Sequence, residues 1–200
     1  MIGIHDFIVT PLEHRTTSNK SINGKNLIVN TDMQNHEFVS REAVVISVPL
    51  LYKTDINVGD IVIVHHNVFR RFYSVRGEEK WSKSRFNSDL YFASLDQVYG
   101  VKTKDNIIPL PGYCFVAPIV SDNKLEIHEK EAPLIGVLKY SNSADVKIPI
   151  GNTIGFTPGS EFEFILNNKK LYRVKSKNIT VDYGHKGTQK EYNPSWVCSG

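Results

Sequence analysis

Two hundred residues, 40% hydrophobic and 22% charged, suffice for one large or two small domains with a real core. The formal charge is only +3, which argues against a dedicated nucleic-acid binder, and no apolar run approaches the roughly 20 residues of a membrane span. No signal-peptide pattern opens the chain, and two cysteines without metal-like spacing, Cys114 and Cys198, point to a reducing, intracellular setting with inert thiols.

Helical periodicity is nearly absent. Short runs rich in Val, Ile, Phe and Tyr, broken by Gly, Pro, Asn and Asp, predict strands instead. The first run is 7–9. A polar segment, 15–41, follows, and within it Gly24-Lys25-Asn26-Leu27-Ile28-Val29-Asn30 sets an aliphatic tripeptide among Thr, Ser, Asn and Lys. A loop of that composition has no core of its own for Leu27, Ile28 and Val29. A short strand crossing the loop, or a segment offered to a partner, are the two simplest explanations.

Strands at 43–48 and 60–64 come next, and Asp60, following Gly59, reads as turn chemistry. Residues 65–89 then interleave cations with aromatics: Phe69, Arg70, Arg71, Phe72, Tyr73 and, further on, Lys80, Trp81, Arg85 and Phe86. This mixture suits a long β-hairpin whose rings pack on the fold. It also suits a protein–protein surface with Arg and aromatic anchors. Least expected is a grip on nucleic acid by phosphate contacts and stacking. The pair His65-His66, read as strand, faces opposite ways and does not suggest a metal site.

Runs at 90–93 and 97–101 complete the first half, and the Lys, Asn and Pro residues of 104–111 suggest a linker. Further strands are expected at 113–117, 134–140, 152–156, 161–166, 171–174 and 178–181, with 155–160 as a hairpin turn. The tail, 184–200, has little periodicity; it is either a disordered end or an arm that carries Trp196 into a neighbouring subunit. This succession predicts an all-β protein, a barrel or a sandwich.

The strand pattern occurs twice. Phe7-Ile8-Val9-Thr10-Pro11 resembles Cys114-Phe115-Val116-Ala117-Pro118 at an offset of 107. Val45-Ile46 and Ile56-Asn57-Val58-Gly59-Asp60 fall on Val137-Leu138 and Ile148-Pro149-Ile150-Gly151-Asn152 at 92, and Leu90-Tyr91 on Leu171-Tyr172 at 81. Falling offsets mean that the second copy is shorter in its loops, and the first loss removes the segment that holds the tripeptide. A loop that the fold can omit points to function rather than structure.

Across residues 3–103 the chain resembles the GroES-type co-chaperonins. The likeness runs through His5-Asp6-Phe7-Ile8-Val9, the polar loop with Gly24 and Leu27-Ile28-Val29, Ala43-Val44-Val45-Ile46-Ser47-Val48, Val58-Gly59-Asp60-Ile61-Val62-Ile63, and Tyr91-Phe92-Ala93 with Asp96-Gln97-Val98-Tyr99-Gly100. The resemblance implies two tandem GroES-like small β-barrels, 1–103 and 112–183. It also implies a homo-oligomeric ring and a mobile loop whose Leu27, Ile28 and Val29 dock on a chaperonin ring in the cytoplasm. No cofactor is implied, since the ATP chemistry belongs to the partner. The departures are a roof hairpin reduced to 49–54, the 65–89 insertion, a second copy with only a short connection at 121–133, and the tail. They leave room for an alternative: a ring or connector component of a bacteriophage particle, resident in the virion, with loop and tail as arms onto neighbouring assembly subunits. Phe69, Arg70, Arg71, Phe72, Tyr73, Trp81 and Trp196 are the interface candidates in either case. Enzyme signatures are lacking: no phosphate-binding Gly loop, no Gly-x-Ser-x-Gly elbow and no Cys/His nucleophile pair.

Overall fold

The computed structural model describes residues 1–12, 19–22, 25–28, 39–104, 106–121, 130–142, 147–185, 187, 189–194 and 197. Val29 and Trp196 lie outside them, as do the side chains of 19–28 and of Glu79. The protein is all-β and antiparallel, and among the described residues its helical turns are three-residue 3-10 segments at His66–Val68, Leu95–Gln97 and Ser176–Asn178. It divides into two compact units between Asn106 and Ile107.

In the first unit the chain forms β1 (Phe7–Pro11), β2 (Asn19–Ile22), β3 (Lys25–Ile28), β4 (Glu42–Ser47), β5 (Ile61–Val64), β6 (Arg71–Tyr73), β7 (Glu79–Trp81), β8 (Tyr91–Ala93) and β9 (Val98–Lys102). The main sheet runs β9-β5-β4-β1-β8, while β2-β3 and β6-β7 are two-stranded sheets of their own. Period-two alternation buries one face of β4, where Ala43, Val45 and Ser47 are inside. Phe7, Val9, Val62, Val64 and Tyr91 close this core and expose no surface. Burying side chains of this size contributes roughly 1.5–3 kcal/mol each.

The second unit contains β10 (Ile107–Pro109), β11 (Tyr113–Val120), β12 (Glu131–Ser141), β13 (Thr153–Phe156), β14 (Phe162–Leu166), β15 (Lys169–Lys175) and β16 (Ile179–Gly184). Its order is β14-β15-β11-β12-β13-β16. Cys114, Val116, Leu138, Ile154, Phe156, Tyr172 and Val174 form one buried cluster. Burial pushes the Cys114 thiol up to about 12, which keeps it protonated and unreactive at neutral pH. Gly136 is required by space: a Cβ there would meet the Ala117 carbonyl oxygen and Val116 Cγ1 at 2.5 Å.

With β1, β4, β5, β8 and β9 placed on β11, β12, β13, β15 and β16, these five strands run in one order in both units, and β14 extends the second sheet beyond β15. The correspondence extends to register. Val9 opposes Val45 as Val116 opposes Leu138, and the ladder slips at the same step in both, between Ile8 and Val9 and between Phe115 and Val116. Val9 opposes Tyr91 on its other side as Val116 opposes Tyr172. The turns into β5 and β13 also match. Gly59 donates to Val45 O and Gly151 to Leu138 O at 2.8 Å each, with φ of +92° and +93° at the two glycines.

Several expectations are corrected by this register. Val45 is equivalent to Leu138 rather than to Val137, so the offset on β4 is one residue larger than the sequence match suggested. Residues 155–160 turn the chain but do not make a hairpin, because β13 pairs with β12 and β16 while β14 pairs with β15. The tight hairpin is at Asn167-Asn168, with φ of +50° and +55°, the left-handed pair that a two-residue turn of this kind needs. Part of the expected linker is strand β10. Neither unit's sheet closes into a barrel among the described residues.

Candidate functional site

The segment between β1 and β4 folds back as the β2-β3 ribbon, in which Asn19 pairs with Ile28, Lys20 with Leu27, Ser21 with Asn26 and Ile22 with Lys25. Leu27 and Ile28 therefore stand on a strand, as one of the two sequence readings had it. Among the described residues that strand pairs with β2 alone. A single two-stranded ribbon is marginally stable in water. In the second unit the equivalent connection is residues 121–130, between β11 and β12.

A second ribbon grows from the same unit. The chain leaves β5 through His65 and His66, which sit at a 3-10 turn and not in a strand. Their rings lie 4.1 Å apart, and His65 Nδ1 accepts from the Asn67 N–H at 3.0 Å. Among the described residues no group of three His, Cys, Asp or Glu could hold a metal ion. Phe69 belongs to the core rather than to a contact surface: it is 2% exposed and meets Tyr91 edge to face at 4.9 Å.

Beyond Phe69 the chemistry faces outward. The β6-β7 ladder sets Arg71 opposite Trp81, and the Arg71 guanidinium lies 5.5 Å from the Trp81 ring. Arg85 stacks closer, at 3.8 Å, on that ring, and Arg70 lies 5.8 Å from the Phe72 ring. Such contacts contribute about 0.5–1 kcal/mol each at exposed sites. Phe72 and Tyr73 are each 37% exposed and Phe86 51%; Phe86 leans on Phe92 at 5.2 Å. Of the interface candidates Phe69, Arg70, Arg71, Phe72, Tyr73 and Trp81, the structure puts all but Phe69 on or beside the ribbon, and it stacks Arg85, which the sequence placed among the same cations, on Trp81.

The second unit carries a polar cluster that the sequence reading missed. Lys170, buried, has its Nζ 2.8 Å from Glu131 Oε2 and 3.0 Å from Glu163 Oε2, and the Tyr172 hydroxyl donates to Glu131 Oε1 at 2.5 Å. Burial alone would lower the Lys170 pKa; hydrogen bonds with Glu131, Tyr172 and Glu163 outweigh it and hold it above the ordinary lysine value. Burial, then the Glu131 bond, raises that of Tyr172. Lys170 and Tyr172 are two apart on β15 and so share a face, but Glu131 is remote in sequence and only the fold supplies it.

The described part of the tail binds its own unit. The Val120 N–H donates to Lys190 O at 2.9 Å and the Tyr192 N–H to Pro118 O at 2.8 Å, alongside β11 where its ladder with β15 has ended. Asn193 Oδ1 accepts from the Lys170 N–H at 3.0 Å, Glu191 pairs with Lys139, and Val197 is buried.

No protein-family model matches the chain, and none of the curated proteins does. Among the described residues no helix is long and apolar enough to cross a membrane. The functional reading therefore rests on geometry and on the resemblance described above.

Proposed function

We propose that the chain is a co-chaperonin-like protein built from two tandem GroES-like units, each an open version of the small β-barrel. It caps a chaperonin ring through Leu27, Ile28 and Val29 and so assists protein folding. The observation that carries this reading is the β2-β3 ribbon, set in a connection of 30 residues (12–41) in the first unit where the second has one of ten (121–130) between the equivalent strands. A ribbon of two four-residue strands gains most when a partner surface covers it. Each aliphatic side chain buried on docking is worth roughly 1.5–3 kcal/mol gross. Ordering the loop costs part of that, and several copies on a ring restore tight, reversible binding through effective concentration. The chain itself supplies no cofactor chemistry in this role.

Co-elution of the full chain with a chaperonin ring and nucleotide tests the proposal. Ile28→Asp is expected to abolish co-elution while circular dichroism stays unchanged. Full binding by that variant would sink the docking role. The second reading, a ring or connector component of a phage particle, is favoured by the β6-β7 ribbon, which the repeated frame does not require. It predicts stable rings in negative-stain images without any chaperonin.

A further inference from the structure

Net charge alone does not describe the surface of residues 65–89. They hold six of the 24 Lys and Arg and three of the 21 Asp and Glu. That is a local excess of three cations on a segment of exposed aromatic and basic side chains. A chain average of +3 argues against nucleic acid; a local excess interleaved with exposed rings does not.

We propose that the β6-β7 ribbon is a binding element for single-stranded nucleic acid. Arg70, Arg76, Lys80 and Lys83 are exposed, and among the described residues no ion pair ties them, or Arg85, to a carboxylate. Arg85 is held on Trp81 at 3.8 Å, with its Nε donating to Asn87 O at 3.1 Å. A guanidinium fixed in this way offers a flat cation to a phosphate or to a base face. Phe72 and Tyr73 add partly exposed rings on the neighbouring strand. A single strand answers both halves of this chemistry, since its phosphates meet the cations and its unpaired bases meet the rings. An acidic polypeptide answers only the charge. Duplex DNA keeps its bases stacked away from the rings.

Fluorescence anisotropy with a labelled oligo-dT and an RNA of the same length, titrated with the full chain at low salt, tests this. Binding is expected, with log affinity falling by about 0.7 per phosphate contact for each unit of log salt. The double variant Arg76→Glu, Lys80→Glu should lose at least about tenfold in affinity and flatten that slope. Phe72→Ala should lose about tenfold with the salt slope unchanged. The control pair Lys175→Glu, Lys177→Glu, exposed on the second unit, should bind as wild type, and far-ultraviolet circular dichroism should be the same for all. Any of three results would overturn the proposal: no binding at low salt, equal losses from the ribbon pair and the control pair, or equal affinity for a poly-glutamate of matched charge.

Discussion

The two units differ where they carry loops and agree where they carry strands. Both set the same five strands in the same order, with equivalent partners opposite Val9 and Val116. The first unit spends residues on two ribbons outside this frame. The second shortens both connections, and the residues after β16 lie beside β11 instead. One frame thus carries two ribbons in the first unit and a tail laid along β11 in the second. The division fits a general economy in which pairing and core are fixed while loops are free to acquire partners.

Four measurements would break or sharpen this comparison. Phe115 is fully buried and meets Phe164 at 4.9 Å, so Phe115→Ala should cost the second unit about 3–5 kcal/mol in chemical denaturation. A loss below 1 kcal/mol, on the order of a surface change, would mean that the frame is not held by this core. Gly136→Ala should follow at about 1–3 kcal/mol, the usual cost of overpacking, although its equivalent in the first unit is Ala43, paired with Val62 as Gly136 is with Ile154. A neutral result there would show that β11 and β12 can part more easily than their contacts imply.

Gly59→Ala and Gly151→Ala probe the shared turn. Their φ values of +92° and +93° predict similar penalties of about 1–2 kcal/mol, and a clear inequality would break the equivalence of the two turns. The smallest effect is alkaline. Lys170 and Tyr172 both bind their protons more tightly in the folded chain. Their contribution is therefore whole below about pH 10, the ordinary value for both groups, and is lost as pH climbs through the raised values. The denaturation midpoint should stay flat from neutral pH to about 10 and fall above it, less steeply in Tyr172→Phe. A decline beginning near pH 8, well below both ordinary values, would exclude these two groups as its origin.

Much of the frame was legible in the residues, because each of its strands is a run of β-branched and aromatic side chains bounded by turn formers. Partnering was less so. The hairpin expected at 155–160 failed because Gly and Pro mark a turn without saying which strand the chain meets after it, whereas Asn167-Asn168 states its geometry through two left-handed residues. Val45 matched Val137 by type, yet backbone pairing puts it with Leu138; in strings of Val, Ile and Leu a shift of one is invisible to similarity. Leu27 and Ile28 were legible as an anomaly in polar surroundings, and the short strands of their ribbon were one of two open readings. Arg85 on Trp81 was not legible because it depends on the local turn at Ser82–Arg85, and Glu131 beside Lys170 because the two are remote in sequence and meet only in the folded sheet.

The ladder slip shared by β1-β4 and β11-β12 bears on ancestry. Moving a bulge along a strand means inverting the inward and outward positions of every residue it passes, and no single substitution repairs that. Side chains around it can drift freely while the slip stays put. Its position, between Ile8 and Val9 and again between Phe115 and Val116, is thus the kind of trait that two halves of a chain inherit from one gene segment copied in tandem. It would outlast any resemblance still visible between their residues.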